Sequence, residues 1–267
     1  MKTKLLVLLL ILVKFTFVSA QMDDKFYFPG KGLKPIEWSN IENVKLPVEN
    51  DTITALILKP NQKPKGTIFY FHGAGGNVSS YAPIIMPLLK DHFQVVMVDF
   101  RGYGKSSGTP THKNIASDGE LFFNEMSKRE GIKHTKIIIY GASMGTQIAT
   151  HLAKNHESEI SGLVLEGTVS SFGDIAAVYA PQYKSYLENS FVSPYSAKED
   201  IKGMTKIPKL FIHSEEDKDV PFSQGMTVFS AASDPKEFIE FSGEHLYGLK
   251  YESAKILESL DRMIAKK

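Results

Sequence analysis

Runs of uninterrupted apolar residues, among them Val95-Val96-Met97-Val98 and Ile137-Ile138-Ile139-Tyr140, recur along the chain between longer amphipathic stretches. A strand with one face in water alternates apolar and polar residues. A run without polar partners is covered on both faces, and such strands belong to parallel sheets whose crossover helices lie on either side. The pattern predicts strands at Thr67 to Phe71, Gln94 to Phe100, Lys136 to Tyr140, Gly162 to Leu165, Lys209 to His213 and Glu237 to Phe241. An opening hairpin, Ile41 to Pro47 with Thr52 to Leu58, turns at Glu49-Asn50-Asp51. Helices are expected at Ser80 to Lys90, Ile115 to Arg129, Met144 to Asn155, Phe222 to Ala231 and Leu249 to Ile264. The fold class is α/β: a mostly parallel, doubly wound sheet of about eight strands.

One interval, residues 168–204, lacks strand character and carries Tyr179, Tyr183, Tyr186, Phe191 and Tyr195 among polar residues, the pattern of a small lid. The aromatics fit either packing over the sheet edge or a wall against an acyl or ring group. At the N-terminus, Lys2 and Lys4 precede the apolar run Leu5 to Val13, and Val18-Ser19-Ala20 supplies small residues before Gln21. This is the form of a signal peptide over residues 1–20, followed by one domain over residues 21–267. Lys14 interrupts the run short of the roughly 18 residues a spanning helix needs, so no stable membrane span is expected once the signal is removed. Export to a periplasm or secretion to the medium is the expected localisation. The chain has 31 basic and 30 acidic residues, and without Lys2, Lys4 and Lys14 the balance is 28 against 30, or −2, which offers no basic field for nucleic acid. The absence of cysteine removes disulfides, thiolate metal sites and thiol nucleophiles.

In sheets of this kind ligands sit at the carboxyl ends of the strands. The strand ending at Tyr140 runs into Gly141-Ala142-Ser143-Met144-Gly145 and then into a helix, the strand, sharp turn and helix that a nucleophile elbow requires. Flanking glycines leave room for a strained turn with the serine at its apex. A serine hydroxyl is a weak nucleophile at neutral pH and needs a base, which in turn needs a carboxylate to hold its tautomer. Two later strands end in suitable groups: Glu215, Glu216, Asp217 and Asp219 follow one, and His245 follows the other. After Phe71 the chain enters His72-Gly73-Ala74-Gly75-Gly76-Asn77, where small residues expose backbone N–H groups; the amides of Ala74 and Met144 are the expected oxyanion donors. A dinucleotide loop at Gly73-Ala74-Gly75 fails because Val78 stands where the third small residue should be, and a phosphate loop at Gly104-Lys105-Ser106 fails because Asp99 replaces its first glycine. No cofactor and no metal are implied. His72 and His213 are expected to hydrogen-bond loop backbone behind the site, Arg101 and Tyr103 to order a loop, and His92, His112, His134, His151 and His156 to lie at the surface or at helix ends.

These motifs, with Asp99-Phe100-Arg101-Gly102-Tyr103-Gly104-Lys105-Ser106, Asp217 before Val220-Pro221, and Gly243-Glu244-His245, resemble the α/β-hydrolase superfamily over residues 41 to 265, in particular its small-lidded, BEM46-like and serine aminopeptidase-like branch. The resemblance implies Asp217 as the acid, four residues after the histidine that ends its strand and three before Val-Pro, although Ser214 stands where the family usually has glycine. Ser143, Asp217 and His245 are then the catalytic set. Gly73, Tyr103 and Tyr179 are expected near the substrate. The expected activity is hydrolysis of small carboxylic esters. Amide or short-peptide cleavage ranks second, thioester hydrolysis third, and a binding protein without catalysis last.

Overall fold

A computed structural model describes residues 23–189, 191 and 193–265; the expected signal peptide lies outside them. Eight strands form one sheet: β1 (Ile41–Val48), β2 (Asp51–Leu58), β3 (Gly66–Phe71), β4 (Phe93–Asp99), β5 (Ile137–Ala142), β6 (Gly162–Glu166), β7 (Lys209–Ser214) and β8 (Lys236–Phe241). Their order is β8-β7-β6-β5-β3-β4-β2-β1. The hairpin β1–β2 and the β2–β4 pair are antiparallel, and every other pair is parallel.

The apolar runs behave as their composition requires. Because successive side chains point to opposite faces, each run feeds two cores. Ile137, Ile139, Leu163, Leu165, Phe69 and Phe71 pack on one side with Phe122 and Phe123 of helix α2 (His112–Ser127) and Ile148 and Leu152 of helix α3 (Gly145–Asn155). Ile138, Tyr140, Val164, Ile68 and Tyr70 pack on the other with Ile85, Leu88 and Leu89 of helix α1 (Val78–Lys90).

Between β6 and β7 the suspected lid is helical: α4 (Phe172–Tyr179), a single 3-10 turn at Pro181–Tyr183, α5 (Lys184–Asn189) and α6 (Ala197–Asp200). Its aromatics divide. Tyr195 is buried and its hydroxyl donates to the His112 carbonyl at 3.1 Å, whereas Tyr179, Tyr183 and Tyr186 stand exposed. Helix α7 (Phe222–Ala231) follows β7. The helix expected from Leu249 is broken at Glu252 into α8 (Gly248–Tyr251) and α9 (Ser253–Ala265). Among the described residues no helix is long and apolar enough to cross a membrane.

Three of these histidines have partners that the sequence does not show. His112 does open α2, but it is buried: its ring accepts or donates at 2.6 Å with the Tyr27 hydroxyl and lies against Phe172 and Phe26, joining the N-terminal lead to the lid. Burial lowers its pKa to about 4, so the ring is neutral. His151 and His156 are not idle either, since they pair with Asp200 and with Glu120 and Glu159.

Candidate active site

Register aligns the carboxyl ends of the central strands. Phe71 of β3 lies beside Gly141 of β5, Ala142 beside Glu166 of β6, and Glu166 beside Ile212 of β7, so the loops that follow leave the sheet at one edge.

Ser143 sits at that edge with φ +54°, a left-handed backbone that a non-glycine residue adopts only when its surroundings enforce it. The flanking glycines are that enforcement. A Cβ at Gly141 would lie 2.6 Å from the Ala149 Cβ, and one at Gly145 would collide with the Phe71 carbonyl. The Ser143 N–H donates to the Glu166 carbonyl at 2.8 Å, and its carbonyl accepts from the Thr146 hydroxyl at 2.6 Å. Helix α3 begins immediately afterwards, its N-terminal end directed at the serine.

The four acidic candidates after β7 are resolved by contact. Asp217, not Glu215, Glu216 or Asp219, meets the histidine: His245 Nδ1 donates to Asp217 Oδ2 at 2.6 Å. The other carboxylate oxygen accepts the backbone N–H groups of Asp219 at 2.9 Å and Val220 at 2.8 Å. His213 Nε2 donates to the Val220 carbonyl at 3.0 Å and approaches Asp217 Oδ2 at 3.5 Å, so its ring holds the loop from behind as expected. Burial alone would raise the pKa of Asp217, but the donors from His213, His245 and Val220 outweigh it and hold the carboxyl below its ordinary range. An ionised Asp217 can only accept, so Nδ1 carries the His245 proton and Nε2 is left with the lone pair. Ligand atoms of Asp217, Asp219 and His245 lie within 4.8 Å of one another. Asp217 and His245 already satisfy each other there, and this cluster is a hydrogen-bonded acid and base rather than a set of open ligands.

The Cε1 edge of His245 faces Gly167, where a Cβ would be 2.5 Å away. Gly167 directly follows Glu166, whose carbonyl holds the Ser143 N–H, so this segment lies against both the His245 ring and the Ser143 backbone. Among the described residues the Ser143 hydroxyl has no hydrogen-bond partner, and His245 is bonded to Asp217 instead.

On the other side of Ser143 lies the loop after β3. A Cβ at Gly73 would be 3.0 Å from the Ser143 Cβ, which sets this loop against the nucleophile. His72 Nδ1 donates to the Gly73 carbonyl at 2.8 Å. In a trans peptide the N–H opposes the C=O, so fixing that carbonyl also aims the Ala74 N–H away from it. Among the described residues neither the Ala74 nor the Met144 amide has an acceptor. Tyr103, expected near substrate, has no exposed surface; its hydroxyl donates to the Ala74 carbonyl at 2.5 Å and props the loop from behind. Tyr179 is 67% exposed and its hydroxyl donates to the Asp219 carbonyl at 2.6 Å, linking the lid to the acid loop. A groove of about 520 Å³ between α4 and α7 is lined by Ser170, Asp174, Val178 and Gln224 and includes none of Ser143, Asp217 and His245.

One supporting segment carries no sequence signal of its own. The lead segment Phe28–Pro29 pairs in parallel with Gly75–Gly76, and the Phe28 N–H donates to the Ala74 carbonyl at 2.9 Å. Asn77 caps α1 through the Ser79 N–H at 3.0 Å and donates its side-chain amide to the Gly32 carbonyl at 2.6 Å, tying this strap to the loop. Behind them, burial lowers the pKa of His72 to about 4 and raises that of Asp99 to about 6 against one N–H from Val78. A neutral imidazole 3.9 Å from that carboxyl makes no ion pair.

Residues 66–194 match the family model for the α/β hydrolase fold. Among solved structures, a carboxyl esterase from Bacillus coagulans superposes with a TM-score of 0.65 at 16% identity, covering 85% of this chain and 100% of that one. Est1E from Butyrivibrio proteoclasticus, solved with ferulic acid bound, gives a TM-score of 0.70 at 16% identity, covering 84% and 100%. The sheet order and the elbow at Ser143 are those of the α/β-hydrolase fold, which the chain adopts. Its sequence relatives lie in the BEM46-like branch: YfhR of Escherichia coli K12 is 29% identical over 229 residues, 83% of this chain and 79% of that protein. Schizosaccharomyces pombe bem46 is 28% identical over 189 residues, 70% and 63% of the two chains.

Proposed function

We propose that the chain is a serine hydrolase that cleaves carboxylic esters through Ser143, His245 and Asp217. The observation that carries this reading is the 2.6 Å bond from His245 Nδ1 to Asp217, which leaves Nε2 as the base beside a serine held at φ +54°. In the proposed reaction His245 Nε2 takes the Ser143 proton as Oγ attacks the carbonyl carbon. The oxyanion forms against the Ala74 and Met144 amides, each donor worth about 10² to 10³ in rate. His245 then passes its proton to the departing alkoxide, leaving an acyl-enzyme. Water, deprotonated by the same nitrogen, attacks the acyl carbon, and the proton returns to Ser143. Asp217 stays ionised throughout and stabilises the imidazolium.

Esters rank first because an alkoxide leaving group demands less of the general acid than an amine does. A fluorophosphonate probe tests the nucleophile: it labels the wild-type protein and not Ser143→Ala. A folded wild-type sample that resists the probe would sink the proposal. Turnover of p-nitrophenyl acyl esters against aminoacyl anilides tests the substrate class, and faster anilide cleavage moves the assignment to a peptidase. The reading also includes export with removal of residues 1–20; N-terminal sequencing beginning at Gln21 is the expected result, and a retained Leu5 to Val13 segment contradicts it.

A further inference from the structure

Glu166 ends β6 with no exposed side-chain surface, and the chemistry above does not use its carboxyl. An ionisable group in such a place costs several kcal/mol unless it is fully bonded. Here its bonds reach both arms of the site. Oε2 accepts the Tyr140 hydroxyl at 2.5 Å, and Tyr140 lies on β5, three residues before Ser143. Oε1 accepts the Gly248 N–H at 2.8 Å, and Gly248 opens α8, three residues after His245. The Glu166 main-chain oxygen holds the Ser143 N–H at 2.8 Å. The fit is close: a Cβ on Gly248 would lie 2.8 Å from Oε1 and 2.5 Å from the Ile212 Cγ2, so only glycine brings this amide to the carboxyl. The neighbouring Gly167, at φ +56°, places its Cα beneath the His245 ring.

We propose that Glu166 is a positioning residue whose carboxyl ties the nucleophile strand to the histidine loop and so sets the separation of Ser143 and His245. This rests on the serine-hydrolase reading. Glu166 takes no proton from the imidazole, because His245 Nδ1 is already bonded to Asp217.

Fluorophosphonate labelling rates, with kcat and KM on a p-nitrophenyl acyl ester, test it in Glu166→Ala, Glu166→Gln and Tyr140→Phe, each checked for folding by thermal melting. Glu166→Ala should lower the labelling rate and kcat by about 10²-fold, the scale of a misplacement near 1 Å, with KM little changed. Glu166→Gln should recover a rate near wild type, since its amide oxygen still accepts from Gly248 and its amide nitrogen donates to the Tyr140 oxygen. Wild-type labelling and kcat in folded Glu166→Ala overturn the proposal, as does a Gln variant as slow as the Ala variant. If Glu166→Ala does not fold, Tyr140→Phe decides: a several-fold loss of kcat supports the link and an unchanged kcat overturns it. Absence of Ser143-dependent labelling in the wild type brings down the underlying reading, and the proposal with it.

Discussion

The sheet divides at β5 into two halves that treat charge in opposite ways. On the β6 to β8 side, Asp217 is buried yet held ionised, because two backbone N–H groups and His245 donate to it and His213 Nε2 lies 3.5 Å away. On the β3 and β4 side, Asp99 is equally buried but receives one N–H, from Val78, and its pKa rises to about 6, while the adjacent His72 falls to about 4. Burial is common to both; the count of donors decides the sign. In the proposed mechanism this division is useful. Charge is stabilised where an imidazolium must form, and made costlier by burial on the side where main-chain dipoles must face a developing oxyanion.

The largest test of that contrast is Asp217→Asn. An amide in place of the carboxylate favours the wrong imidazole tautomer, and kcat should fall by about 10⁴-fold with the fold retained. A loss of tenfold or less, measured on a p-nitrophenyl ester, would mean that the acid side does not carry charge for the reaction.

The two carboxyls also predict opposite pH dependences of stability. Asp99 binds its proton more tightly folded than unfolded, so its stabilising contribution is complete below its ordinary value of 3.8 and is lost as pH rises through about 6. From pH 4 to 7 the wild type should therefore lose about 2 kcal/mol relative to Asp99→Asn in urea unfolding. Asp217 runs the other way: its contribution is present above the ordinary carboxylate range and disappears as pH falls below it. Parallel stability curves for wild type and Asp99→Asn would erase the distinction between the halves.

A smaller effect tests how the oxyanion half is held. Asn77→Ala removes the amide bond to Gly32 and the cap on α1 together. It should cost about 1 kcal/mol of stability, read as a lower Tm. It should also lower kcat about tenfold, a fraction of the 10² to 10³ that a whole oxyanion donor is worth. An unchanged kcat would show that the strap does not aim the Ala74 amide.

How much of this was legible in sequence follows from what each feature is made of. All eight strands were readable within two residues at their ends: the central ones, covered on both faces, are written as apolar runs, and the opening hairpin flanks the turn-prone Glu49-Asn50-Asp51. Ser143 and His245 could be picked out because each follows such a strand in a distinctive small-residue turn. Asp217 was one of four acids until the family likeness and then the contact with His245 singled it out. The strap at Phe28–Pro29 is held by main-chain bonds between short segments rich in glycine and proline, which have no side-chain period to detect. Glu166 directly follows the strand predicted to end at Leu165, one polar residue indistinguishable from the start of a loop. The last helix read as continuous because its apolar spacing runs through Glu252, where only the backbone shows the break.

The smallest predicted effect lies outside both halves, on the lid. Strand ends fix Ser143, Asp217 and His245, but the lid meets the acid loop through the exposed Tyr179, whose hydroxyl donates to the Asp219 carbonyl at 2.6 Å. A hydrogen bond open to water is worth about 0.5 kcal/mol, the low end of the usual range, or about twofold in an equilibrium. Tyr179→Phe should therefore leave kcat on a short acyl ester within about twofold of wild type. Any change should appear in KM rather than kcat, because the Tyr179 hydroxyl bonds the Asp219 carbonyl and has no bond to Ser143, Asp217 or His245 side chains. A kcat loss comparable to that of Asn77→Ala, at constant KM, would place Tyr179 among the groups that set the geometry of the acid loop, and the division between a rigid reacting edge and a loosely held cover would fail.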